Sequence, residues 1–129
     1  MSSTSLVFLS EDSSTPLTSS EVIANALDKR ATDVLELAKK YKADLNEFGL
    51  VPFKTEHVKR GFGNKNQKKE IALLNEEQAT LLITYMRNSE KVRKFKIALV
   101  KAFYQMKQRL MEQTISDRLV QVEHDVIGR

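Results

Sequence analysis

The stretch LTSSEVIANALDKRATDVLELAKKYKADLNEF, residues Leu17–Phe48, reads as two helices joined by a very short turn. Thr18 can cap the first helix. Glu21 sits three residues later, where a capping-box carboxylate belongs, and Leu17 and Val22 occupy the flanking staple positions. Val22, Ile23, Ala26 and Leu27 give this helix one apolar face. Ala31, Val34, Ala38, Tyr41, Leu45 and Phe48 then repeat at intervals of three and four, which is the spacing of a second helix with its own apolar stripe. Two stripes separated by so few residues cannot lie along one rod with a single face. The helices must turn against each other, as in a helix-turn-helix. Lys29, Arg30, Thr32 and Asp33 open the second helix, polar groups of the kind that meet phosphates and base edges. The competing reading is an ordinary helical hairpin with a solvated start.

Downstream, Gly49 is a natural residue for the position just past a helix end, and Pro52 follows it. Phe53 to Arg60 alternates weakly between apolar and polar residues. Gly61-Phe62-Gly63-Asn64-Lys65-Asn66-Gln67 reads as a flexible turn, and Lys68 to Leu74 as the returning strand. Lys54, Lys59, Arg60, Lys65, Lys68 and Lys69 surround the ends and tip of this hairpin, against Glu56 and Glu70. A basic hairpin after a helix-turn-helix has the form of a wing, whose lysines and backbone N–H groups can lie along phosphates. Phe62 can pack on a sugar or a base; folding back onto the domain is the simpler role for it.

Upstream, Leu6 to Leu9 is a short strand candidate and Glu11 to Pro16 a polar loop. The run Leu6–Leu9 is too short for a signal peptide or a membrane span. Further along, Asn75 caps a third helix and Gln78 completes its capping box, with Ala79, Leu82, Ile83 and Met86 on the buried face. Ser89 caps a fourth helix carrying Val92, Phe95, Leu99, Ala102, Phe103, Met106 and Leu110 as a long stripe. Neither proline nor glycine interrupts the chain between Gly63 and Gly128, so this helix is expected to run well past Leu110. Met111, Ile115, Leu119, Val122 and Val126 keep the same spacings. That tail has too little chain around it to bury a stripe alone, so it either folds back onto the core or pairs with another subunit.

Composition bounds the rest. A chain of 129 residues with 41% hydrophobic and 29% charged residues suits one globular domain. The absence of cysteine excludes disulfides, thiolate catalysis and cysteine-zinc sites. The net charge of +4 is unevenly spread: residues 29–69 and 88–110 each sum to +6, residues 1–28 to −4, and residues 70–87 and 111–129 each to −2. Clustered cations are the footprint of a polyanion; two solvated faces are the alternative. Enzymatic readings have little support. His57 and His124 are far apart without ligand-spaced neighbours, Gly61-Phe62-Gly63 lacks the lysine-serine signature of a phosphate loop, and Glu76-Glu77 is explained as favourable charge at a helix start. No metal and no cofactor are expected.

From Thr18 to Met106 the chain resembles the phage regulatory protein Rha family, whose domain is also found in antirepressor-type proteins. The front match is Thr18-Ser19-Ser20-Glu21-Val22-Ile23-Ala24, then Lys29-Arg30 and Asp33-Val34-Leu35. The more specific rear match comprises Leu73-Leu74-Asn75-Glu76-Glu77-Gln78-Ala79-Thr80-Leu81-Leu82 and the helix Lys94 to Met106. The resemblance implies a phage or prophage regulator with a winged-helix-like DNA-binding domain, acting in the cytoplasm of a bacterial host. Two positions depart from the family pattern. The histidine that usually follows the Lys-Arg-like pair is Ala31 here, and the glycine often found in the interhelical turn is Asp28. The second departure predicts a turn closed by an aspartate cap rather than by a left-handed glycine.

The expectation is an α+β, mainly α fold: an N-terminal segment over 1–16, a winged-helix-like domain with a β-hairpin wing over 17–110, and a helical extension over 111–129. Lys29, Arg30, Thr32 and Asp33 would face the major groove of double-stranded DNA. Lys39, Lys40, Lys59, Arg60, Lys65, Lys68 and Lys69 would hold phosphates. A homodimer through the C-terminal helix is expected, with no membrane partner. The alternative function is an antirepressor that binds a repressor protein without touching DNA.

Overall fold

The first helix starts one residue later than its capping signals suggest, because the residues before it are drawn into a sheet. The computed structural model describes residues 5–60 and 65–127, with side chains described for 5–56 and 68–115. Strands β1 (Phe8–Leu9) and β2 (Pro16–Ser19) precede helices α1 (Ser20–Ala26), α2 (Ala31–Lys40) and α3 (Lys42–Leu45) and a 3-10 turn at Asn46–Phe48. Strands β3 (Phe53–Arg60) and β4 (Lys65–Leu74) and helices α4 (Glu76–Thr84) and α5 (Glu90–Ile127) complete the chain. The architecture is α+β, mainly helical, around an antiparallel sheet of order β1-β2-β4-β3.

Thr18 pairs with Leu74 in that sheet, is buried, and donates its hydroxyl to the Leu6 carbonyl at 2.7 Å. It is therefore spent on the sheet, and Ser19 becomes the cap of α1, its hydroxyl accepting the Val22 N–H at 3.1 Å. The cap at Thr18 and its Glu21 partner are thus replaced by Ser19. The β-region backbone that a strand's last residue already has is also what a helix cap requires. Ser20 then accepts the Ala72 N–H at 3.0 Å, tying α1 to β4.

The turn between α1 and α2 is closed differently from expectation. Asp28 does not cap α2; it occupies the left-handed position itself, with φ 54°. The Lys29 N–H reaches back to the Ala24 carbonyl at 2.9 Å, as in a Schellman turn. Aspartate tolerates this conformation better than most side chains, so it stands where glycine would serve. Arg30 is the cap residue of α2 and makes no side-chain capping bond.

The second predicted helix is not continuous to Phe48. It breaks after Lys40 at Tyr41, resumes as α3, and ends in the 3-10 turn before Gly49, whose φ is 120°. Leu45 stays fully buried, whereas Phe48 is exposed. The carbonyls freed at this end are satisfied from α4. Gln78 Nε2 donates to Leu45 and Gly49, at 3.2 and 2.6 Å, and Asn75 Nδ2 donates to Phe48 at 2.9 Å. Asn75 and Gln78 also form the full capping box of α4. One pair of side chains therefore starts one helix and finishes another. The Tyr41 and Tyr85 rings stack at 4.0 Å alongside, and Tyr85 donates to Asp44 at 2.7 Å.

The β3–β4 hairpin pairs from Phe53 opposite Ala72 to Arg60 opposite Lys65. Its second strand begins at Lys65, so Lys65, Asn66 and Gln67 belong to the ladder rather than to a turn. The reading of Phe62 lies outside the described residues.

Helix α5 is capped by Ser89, which accepts the Val92 N–H at 3.1 Å. Val92, Phe95, Leu99 and Phe103 enter the core beside Leu82 and Ile83 of α4, with Ala102 and Met106 partly buried against it. The apolar pattern does not continue on this face into the tail. Leu110 and Met111 are adjacent, so they differ by about 100° around the helix. Met111 and Ile115 are exposed, on the side that also carries Ile97, Val100 and Tyr104. What reads as one stripe is two stripes on opposite sides of α5.

Candidate nucleic-acid interface

Helix α2 buries Val34, Leu35 and Ala38 and leaves Thr32, Asp33, Glu36, Lys39 and Lys40 exposed, with Lys29 and Arg30 exposed just before it. The buried set is fixed by the three- and four-residue spacing, and the exposed set is what remains on the far side. Glu36 was absent from the sequence-derived set and adds negative charge to this surface.

The hairpin stands beside α2. Lys39 reaches across to Glu70 of β4 at 2.6 Å. Lys39 and Lys42 both lie over the Phe53 ring of β3, at 5.9 and 5.6 Å from its centroid, which is cation–π range. Lys42 was also missed, although its three-residue spacing from Lys39 places it on the same side of the helical segment. Lys68 is exposed and lies two residues from Glu70 along β4, hence on the same strand face. Exposed Lys40, with its Nζ 5.4 Å from the Tyr41 ring, extends the group at the end of α2.

The neighbouring Lys69 has a different surrounding. Strand alternation puts it on the opposite face, where it pairs with Glu21 of α1 and is half-buried. The sequence pair Lys68-Lys69 is thereby divided between a solvent-facing cation and a cation holding the hairpin to α1. Lys59, Arg60 and Lys65 stand at the far end of the ladder, Lys59 opposite Asn66 and Arg60 opposite Lys65.

Arg30 is exposed but not free. Its Nε and a terminal nitrogen donate to the two oxygens of Asp33, at 2.9 and 3.0 Å. That bidentate contact, and the carboxylate charge behind it, raise the guanidinium above its ordinary pKa. Asp33 holds Arg30 in an extended fork at the opening of α2, so a base edge or phosphate would have to exchange with this carboxylate. Lys29 lies with Asp33, Leu37, Tyr85, Met86 and Arg87 around a shallow groove of about 250 Å³ between α2 and the end of α4.

Among the described residues there is no group of three or more His, Asp or Glu side chains placed to hold a metal ion, and no helix long and apolar enough to cross a membrane. A family model described as phage regulatory protein Rha matches residues 18–108. No curated protein and no solved structure matches the chain.

Proposed function

The chain belongs to the phage regulatory protein Rha family, and from that premise we propose that it is a phage transcriptional regulator that binds double-stranded DNA through α2 and the β3–β4 hairpin. The observation that carries the reading is the junction of the two elements. Lys39, Lys42 and Lys68 converge on one side of the domain, although Lys39 and Lys68 are far apart in sequence. A helix flanked by a two-stranded projection is a winged-helix-like arrangement: the helix enters the major groove and the hairpin follows the adjacent backbone. Thr32, Asp33, Lys29 and Arg30 form the base-facing end, with Arg30 the guanine reader once it leaves Asp33. Lys39, Lys40, Lys59, Arg60, Lys65 and Lys68 supply phosphate contacts. Lys69 moves to a supporting role, through Glu21.

Such a surface neutralises roughly four to six phosphates per subunit, so log K against log salt should fall with a slope of about −4 to −5. Titration of a random duplex by fluorescence anisotropy at several salt concentrations measures this directly. Duplex affinity at low salt no greater than that of an acidic control protein would defeat the reading. An antirepressor that binds a repressor protein would then take its place.

A further inference from the structure

The tail expected to serve as the dimerisation segment is only part of a longer surface. Ile97, Val100, Tyr104, Met111 and Ile115 are 57%, 40%, 61%, 59% and 51% exposed. At about 100° per residue they fall within one stripe of α5, opposite the stripe that enters the core. Gln108 completes the row and donates to the Tyr104 hydroxyl at 2.6 Å. The sequence continues the same spacing through Leu119, Val122 and Val126, within a helix that runs to Ile127. An exposed apolar stripe of this extent is a contact surface rather than a scatter of surface residues, and a helix extending beyond its own domain needs a packing partner.

We propose that this outer face pairs with the same face of a second copy, in antiparallel orientation. Two observations select that partner and that direction. First, by sequence spacing along the helix the stripe is complementary to itself in one antiparallel register: position 97 falls opposite 126, 100 opposite 122, 104 opposite 119, 108 opposite 115, and 111 opposite 111 of the other copy, each apolar apart from Gln108 and Tyr104. Second, the charges along α5 are polar end to end. Residues 88–110 sum to +6 and residues 111–129 to −2. By spacing, Lys94 and Lys101 flank the first half of the stripe and Arg93 extends it, whereas Glu112, Glu123 and Asp125 flank the second, which also holds Arg118. A parallel pair sets like charges side by side. An antiparallel pair sets the basic half of each helix beside the acidic half of the other, with Lys101 next to Glu123, as flanking charges do in coiled coils. The interface is isologous, as a two-fold dimer requires.

The test uses the full chain without DNA, so it stands or falls separately from the DNA-binding reading. Light scattering at about 50 µM should report a dimer, as expected for micromolar or tighter association. Because the chain has no cysteine, single cysteines report direction. Met111→Cys should cross-link to itself under mild oxidation. Ile97→Cys alone should not, whereas Ile97→Cys combined with Val126→Cys should. Ile115→Lys, at an exposed position, should keep the circular dichroism spectrum and weaken the dimer at least roughly tenfold, as a charge in an apolar helical seam does. A monomer at about 50 µM, self-linking of Ile97→Cys alone, or a dimer indifferent to Ile115→Lys would each overturn the proposal.

Discussion

The two cation-rich regions carry the same net charge and are built in different ways. Residues 29–69 and 88–110 each sum to +6. The first is gathered from α2, α3 and the hairpin, so Lys39, Lys42 and Lys68 converge in space although the chain holds them apart. The second lies along a single helix, so its cations are spread over the length and sides of a rod. Their ion pairs, by contrast, are alike in kind, most of them joining separate parts of the fold. In the first region, Arg30, Lys39, Lys54 and Lys69 face Asp33, Glu70, Glu11 and Glu21, and three of these four contacts join separate elements of the fold. In the second, Lys91 and Lys107 fasten α5 to Asp28 and Glu76, and Lys94 faces Glu90 of its own helix. Among the described residues, Arg93, Lys96, Lys101 and Arg109 form no ion pair. Equal charge on paper therefore yields a partly converging surface in one case and cations spread along a rod in the other.

If α5 serves chiefly as a structural rod, its inner face should dominate stability. Phe103→Ala, at a fully buried position, should cost about 3–5 kcal/mol in urea unfolding. A loss below about 1 kcal/mol would break the contrast at its root, because α5 would then not be part of the core.

Next in size is the effect of the convergent region on sequence reading. Arg30→Ala should weaken binding to a preferred site by about 1–3 kcal/mol while leaving random duplex binding nearly unchanged. Equal losses on both would mean that α2 holds phosphates but does not read bases.

A finer distinction separates Lys68 from Lys69. Lys68→Ala should weaken all duplexes alike and reduce the salt slope by about 1. Lys69→Ala should leave the slope unchanged and instead lower thermal stability, by no more than about 1 kcal/mol for a partly exposed pair. Identical salt behaviour of the two variants would remove the division of faces between them.

The smallest expected effect belongs to the dispersed region. Lys96→Ala with Arg109→Ala should change duplex affinity by under about 0.5 kcal/mol at fixed salt, as surface substitutions away from a site do. A change comparable to that of Lys68→Ala would place α5 on the DNA and merge the two regions into one.

Much of this architecture is legible from local chemistry. The Asn75–Gln78 box, the Ser89 cap, the Gly49 terminator and the core positions Val34, Ala38, Leu82, Leu99 and Phe103 all follow from signals within a few residues of each element. Strand β2 is hidden because Thr18 and Ser19 are good helix caps, and only pairing with Leu74 and Leu73 makes them a strand. The break at Tyr41 is hidden because its three- and four-residue spacing is uninterrupted, and the 3-10 end of the segment is satisfied from a distance, by Gln78 and Asn75 of the α4 capping box. Asp28 shows the same limit, since a capping aspartate and a left-handed one look identical in sequence. In the candidate site, the residue types were legible and their partners were not. Glu70 lies 31 positions from Lys39, and nothing near Lys69 points to Glu21. The two faces of α5 merge for a simpler reason: spacings of three and four hold on either side of Leu110 and Met111, and the single-residue step between those two moves the pattern to another face.

If the chain binds DNA as proposed, one dimension of α5 bears on its operator. A helix of 38 residues is a rod of roughly 57 Å. In the proposed antiparallel dimer the two-fold axis lies just beyond Met111, and each domain is anchored to the rod around Leu99. The two anchors are then roughly 37 Å apart at 1.5 Å per residue. That is close to the 34–36 Å of one turn of B-DNA, the repeat at which two-fold proteins meet successive major grooves. On the proposed dimer and DNA-binding reading α5 would act as a ruler: the length of the helix, not any base contact, would set the distance between half-sites at about 10 or 11 base pairs. Removing two helical turns between Met111 and Leu119 would shorten that distance and leave each half-site's own sequence preference unchanged.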